Sequence, residues 1–297
     1  KGEVGDLRAT NILFRNRNFG MPDDRERLLK RLSELEQAQA QEAAVLLNLS
    51  VALRQHGNTQ AAINVANQLE TLLPDEPVLV CRRLALLDSQ GQHETAVNGY
   101  QNLIERHPDF MFARLKLSDS FASHDETDAA ARVLEEALEH ASEQETSIIH
   151  LQLAQLYEQL DQVDRAMASY RIAIKSERTA AMAYNNLAWL QITRKDNADA
   201  ALPLAEKAQE LSGGRSPQIL DTLGWIHHLK GNTEKAIEHL EQARKALPQM
   251  PTVRYHLGAA YAKAGRTEEA KSELQEALAI SQDFPEAEDA SGLLNSL

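Results

Sequence analysis

Along this chain apolar residues recur at i, i+3, i+4 and i+7 in run after run, with short polar segments between the runs. In the neighbouring runs QILDTLGWIHHLK and TEKAIEHLEQARKAL, each lays one apolar stripe along a 3.6-residue helix. Such a pair predicts two amphipathic helices folded back as a hairpin. Aligning the alanine near the start of each second run gives Ala62, Ala96, Ala130, Ala166, Ala201, Ala236 and Ala270, with spacings of 34, 34, 36, 35, 35 and 34. A period this short is that of stacked hairpins, each too small to bury its apolar faces alone. The fold class predicted is all-α, more than two thirds helical and without strands.

The turns carry the chemistry that a sharp helix end requires. Gly57, Gly91, Gly231 and Gly265 stand where a left-handed residue is needed. Asp125 and Asp161 take that place twice and Lys195 once, in NNLAWLQITRKDNADAAL, which carries an extra residue and predicts an irregular turn. Pro74, Pro108 and Pro248 close second helices, and Pro77, Pro217, Pro251 and Pro285 open the next element, where a missing N–H is harmless. SGGRS, Ser212 to Ser216, reads as a long turn between hairpins.

Four segments follow. Residues 1–22 are an irregular arm or the remnant of an earlier repeat, and 23–42 hold an N-terminal helix, DDRERLLKRLSELEQAQ. Residues 43–284 hold seven repeats starting near 43, 77, 111, 147, 181, 217 and 251. Residues 285–297 form a capping helix whose apolar face is Ala287, Ala290, Leu294 and Leu297. A chain that starts at Lys1 rather than methionine is expected to continue upstream in the native protein.

The phrases LDTLGWIHHLKGNTEKAIEHLEQARKALP and RYHLGAAYAKAGRTEEAKSELQEAL place Leu223-Gly224, Leu257-Gly258 and Tyr261 on the W-x2-L-G-x2-Y…A-x3-F…P pattern. In this the chain resembles the tetratricopeptide repeat from about Ala43 to Pro285. The resemblance implies a right-handed superhelical solenoid whose first helices line a concave groove. Departures are Leu84 where a small residue is usual, and Gln191 and His227 where Tyr157 and Tyr261 stand elsewhere. NNLAW…AEKAQEL…ILDTLGW…YHLG is also similar to tetratricopeptide lipoproteins of bacterial exopolysaccharide export and PEP-CTERM sorting. That second resemblance implies a bacterial envelope or periplasmic location, with the cytoplasm as the alternative.

Composition narrows the partners. The 31 basic and 44 acidic residues leave a formal charge of −13, and the basic ones are dispersed, which disfavours nucleic acid. No apolar run approaches the roughly 20 residues of a membrane-spanning helix. The single cysteine, Cys81, excludes an internal disulfide framework.

Trp189 and Trp225, the only tryptophans, follow Leu187-Ala188 and Leu223-Gly224. If those pairs face into the hairpin, the next residue is turned about 100° away, onto the groove. The same row holds Val51, Ala85, Asp119, Gln155 and Ala259, a mixture foreign to a core. Around the indoles the groove face is expected to gather Asn185, Asn186, Asp221, Thr222, His228, Tyr255 and His256, with Gln152 further along. The row Asn48, Arg82, Lys116, Gln152, Asn186, Thr222 and His256 resembles the asparagine ladder of O-linked N-acetylglucosamine transferase repeats, and that resemblance implies a grip on a peptide backbone.

No HExxH, GxSxG or phosphate-loop pattern is present. His227 and His228 point about 100° apart on one helix, which disfavours a shared metal ion, and His227 falls in the buried tyrosine row. Neither metal nor cofactor is expected. The reading is a non-enzymatic scaffold that takes a protein or peptide partner, leaving open homo-oligomerisation, an envelope export role, or service as the regulatory array of a larger enzyme.

Overall fold

The computed structural model describes residues 22–297; the arm read at 1–22 lies, but for Pro22, outside them. Among the described residues are sixteen helices and no strand. They are α1 Pro22–Ser33, α2 Gln37–Gln55, α3 Thr59–Leu72, α4 Pro77–Ser89, α5 His93–Arg106, α6 Met111–Ala122, α7 Thr127–Ala137 and α8 Glu143–Gln159. There follow α9 Val163–Ala173, α10 Glu177–Lys195, α11 Ala198–Leu211, α12 Pro217–Leu229, α13 Thr233–Ala246, α14 Pro251–Lys263, α15 Thr267–Ile280 and α16 Ala287–Ser296. From α2 to α15 they alternate as the first and second helices of hairpins. The chain divides into two compact units, one through Glu145 and one from Thr146.

The repeating alanine is the packing device. Ala62, Ala96, Ala130, Ala166, Ala201, Ala236 and Ala270 are all fully buried, since at these points a second helix presses against its neighbours too closely for a longer side chain. The two glycines of the last first helices act from the other side: a Cβ on Gly224 or Gly258 would strike Leu240 or Leu274. Leu84, the bulky departure, is accommodated by Gly99 on the facing α5, where a Cβ would collide with the Leu84 methyls.

Every hairpin turn holds one residue at positive φ: Gly57, Gly91, Asp125, Asp161, Asp196, Gly231 and Gly265. The fifth is Asp196 (φ 46°), not Lys195. Lys195 remains in α10, and the extra residue passes the left-handed place to an aspartate, which tolerates it better than most side chains. Pro77, Pro217 and Pro251 do start helices. Pro285 does not, since α16 begins at Ala287.

The N-terminal helix expected over 23–42 is broken. It stops at Ser33, whose hydroxyl donates to Lys30 O at 2.7 Å, and α2 starts afresh at Gln37, ahead of the repeat start read near 43. Leu28, Leu32 and Leu35 pack on the core of the first unit. In the second unit Ala290 of α16 is fully buried, and Leu293, Leu294 and, just beyond the helix, Leu297 pack toward Tyr255 and Leu274.

Candidate functional site

Three successive first helices of the second unit, α10, α12 and α14, bring an aromatic cluster together. The Trp225 indole lies between two imidazoles: His228 at 4.7 Å between ring centroids and 7° between planes, and His256 at 4.3 Å and 19°. The first contact joins residues three apart on one helix, where side chains are neighbours. The second crosses from α12 to α14. Tyr255 closes on Trp225 at 5.7 Å, and Trp189 reaches His256 at 5.9 Å from α10. Both indoles are half-buried, packing on Ala188, Leu223 and Ile226 while keeping part of their surface in solvent.

Polar groups fix the cluster. His256 is fully buried, and its Nδ1 lies 2.9 Å from Asp221 Oδ1. The carboxylate can only accept, so Nδ1 carries the hydrogen, and in the neutral ring Nε2 becomes an acceptor. Neither His256 Nε2 nor His228 Nδ1, both buried, has a hydrogen-bond partner. Burial, followed by Lys263 and His256, lowers the His228 pKa to about 4, so this ring is neutral at pH 7.

The other residues expected here divide. Asn185 is half-buried, donating to Asn186 Oδ1 at 3.3 Å while its own buried Oδ1 has no partner. Asn186 donates to Tyr170 OH at 3.1 Å, and Tyr170 donates to Glu158. Burial first, then the Glu158 carboxylate, pushes the Tyr170 phenol up, so it stays protonated. Gln152 is half-buried on α8. Thr222 is buried and its hydroxyl donates to Gln218 O at 3.1 Å, so it offers nothing to a ligand. Tyr255 is only 9% exposed and serves as the wall of the cluster rather than its surface.

Several residues of the row read as an asparagine ladder already hold partners within the chain. Asn48 donates to Ala44 O at 2.9 Å, Lys116 to Asp119 at 2.6 Å, Asn186 to Tyr170, Thr222 to Gln218 and His256 to Asp221. Only Asn186 and His256 reach a neighbouring helix; Asn48, Lys116 and Thr222 bond back within their own. His227 is buried, as its place in the tyrosine row predicts, and stacks on His239 at 5.7 Å.

Two arrangements escaped the sequence reading. In the first unit Arg54, Cys81, Arg82, Phe112 and Lys116 line a recess of about 360 Å³. Burial, and then the neighbouring Arg54, lower the Arg82 pKa to about 10. In the same unit Asp88, His93 and His124 converge, with His93 and His124 stacked at 3.7 Å. The Asp-x4-His spacing across Gly91 was visible in the sequence, but the approach of the next turn was not.

Stacked helical hairpins with a polar and aromatic face built from first helices define a helical-repeat solenoid of the interaction type. The chain belongs to the tetratricopeptide repeat family: models described as tetratricopeptide repeat match residues 86–145, 151–216 and 228–294. It is 26% identical over 180 residues to the TPR repeat-containing protein PA4667 of Pseudomonas aeruginosa, covering 60% of this chain and 30% of that protein. It therefore spans less than a third of that relative. Among solved structures it resembles the APC/C hetero-tetramer Cut9-Hcn1 (TM-score 0.66, 18% identity, 89% of this chain and 49% of that one). A tetratricopeptide repeat protein from Parabacteroides merdae gives 0.59, 15%, 86% and 98%, and the type IV pilus biogenesis factor PilW 0.51, 17%, 62% and 88%. These likenesses are of fold. The relatives share the repeat with this chain, and none of those named here carries the exopolysaccharide-export likeness read from the sequence.

Proposed function

We propose that the protein is a non-enzymatic scaffold that binds an extended segment of a protein partner across α10, α12 and α14, anchored on Trp225. The observation that carries this reading is the sandwich of Trp225 between His228 and His256, half-buried and flanked by buried ring nitrogens with no partner in the chain. A peptide suits this face: an apolar or aromatic side chain covers the part of the indole left in solvent. Tryptophan in such a setting is the commonest kind of binding hot spot. The envelope-export reading rests on the sequence resemblance alone.

A peptide-display library panned on the full chain tests the reading. Recovered peptides should bind at least tenfold more weakly to Trp225→Ala and to His256→Gln, each still folded by circular dichroism. Peptides that bind the wild type and both variants equally, or a library that enriches nothing, would overturn it.

A further inference from the structure

Among the described residues, Asp88, His93 and His124 are the group whose ligand atoms approach one another as they would around an ion, all within 4.8 Å. They come from two consecutive turns of the first unit. Asp88 lies in the last turn of α4, and the left-handed Gly91 folds the chain back so that His93, the first residue of α5, faces it at 3.0 Å from Nδ1 to Oδ1. His124, just beyond α6, brings Nε2 to 3.9 Å from the same oxygen.

The outer nitrogens are held in the way that metal-ligating histidines are held. His93 Nε2 lies 3.0 Å from Glu126 Oε1, and His124 Nδ1 lies 2.9 Å from the Ser120 carbonyl. A carbonyl only accepts, so His124 carries its hydrogen on Nδ1 and presents the Nε2 lone pair toward Asp88. A carboxylate or carbonyl on the far nitrogen fixes tautomer and ring orientation, the usual outer shell of an imidazole ligand. None of the three ligand side chains is sealed from solvent: their exposures are 13%, 21% and 35%.

We propose that Asp88, His93 and His124 form a binding site for a divalent transition-metal ion of the zinc class, clipping the second hairpin turn to the third. Two imidazole nitrogens and one carboxylate oxygen suit Zn2+ and its neighbours, and three protein ligands leave a position for water. Ligands about 2.0–2.1 Å from a tetrahedral ion stand roughly 3.4 Å apart, so the 3.0 and 3.9 Å separations from Asp88 Oδ1 need shifts of well under an ångström, and the two nitrogens, within 4.8 Å of each other, close the rest. On binding, the metal takes the lone pair of His93 Nδ1, and the proton shared between that nitrogen and Asp88 leaves to solvent. The two rings stack with 26° between their planes and must rotate toward one another's edge to share one ion.

Full-length protein, stripped with chelator, is titrated with CoCl2 and then with ZnCl2. One equivalent of cobalt should give the visible bands of a low-symmetry nitrogen and oxygen site, and zinc should abolish them. His124→Ala, at a partly exposed position that leaves the fold intact by circular dichroism, should weaken binding at least tenfold. Glu126→Gln, a positioning change that touches no ion, should weaken it by about 10–100-fold and alter the cobalt spectrum. His228→Ala should change nothing. No binding at micromolar metal, or binding unaffected by His124→Ala and Asp88→Asn, would overturn the site and leave His93 as a proton-held ion pair with Asp88 and Glu126.

Discussion

The Trp225 indole and the His256 imidazole lie face to face, 4.3 Å apart and 19° from parallel, joining two first helices across a repeat boundary. The indole is half-buried, so truncation acts on folding as well as on binding. Trp225→Ala should cost about 2 kcal/mol of stability, less than the 3–5 kcal/mol of a fully buried aromatic. A chemical-denaturation curve measures this, and a loss above about 4 kcal/mol would make the residue part of the core. In the free protein, acrylamide should quench the emission only partially.

Histidines of the second unit should make it acid-labile. His228, lowered to about 4, and His227, His239 and His150, also lowered, are held neutral chiefly by burial. Such groups bind fewer protons when folded than when unfolded, where the pKa is about 6.5. Their contribution is complete above pH 6.5 and is lost as pH falls from 6.5 toward 4. His228→Gln should flatten that decline relative to wild type; parallel stability-pH curves would contradict the assignment.

Gly99 and Gly292 should respond oppositely to alanine. At Gly292 a Cβ meets nothing within 4 Å, so Gly292→Ala should gain about 0.5–1 kcal/mol from helix propensity. At Gly99 the Cβ collides with Leu84, which is 2% exposed and cannot move freely. Overpacking of about 1–3 kcal/mol then exceeds the same propensity gain, and Gly99→Ala should destabilise. Against a Leu84→Ala background the sign of the Gly99→Ala change should reverse, a coupling that a double-mutant cycle resolves.

Cys81 is 1% exposed, and burial pushes its thiol far above the usual range. The thiolate is the reactive form. Native protein should therefore resist a thiol reagent such as DTNB, reacting in full only in denaturant; rapid native labelling would place the thiol in an open recess.

The sequence by itself determined the all-α class, the hairpin period and the alanine at each close approach. These depend on the 3.6-residue stripe and on contacts between nearest neighbours, both written within one repeat length. The row that holds the two tryptophans was legible too, because a mixture of aspartate, alanine and tryptophan is foreign to a core; that this face binds a partner is a proposal. What a helical stripe cannot say is which of two adjacent helices a side chain leans on. Hence His256, assigned to an open face, turned across to Asp221 on α12, while Thr222 is buried and bonds back to Gln218 on its own helix. The left-handed residue of the fifth turn fell on Asp196 rather than Lys195, since α10 runs one residue further. The helix expected over 23–42 broke at Ser33, although Leu28, Leu32 and Leu35 have the spacing of one continuous helical face. Only tertiary structure set His93 against His124 and Glu126. Those residues lie 31 and 33 positions further along the chain and meet because consecutive turns stack at the same end of their hairpins, a relation of repeat to repeat that no single repeat encodes.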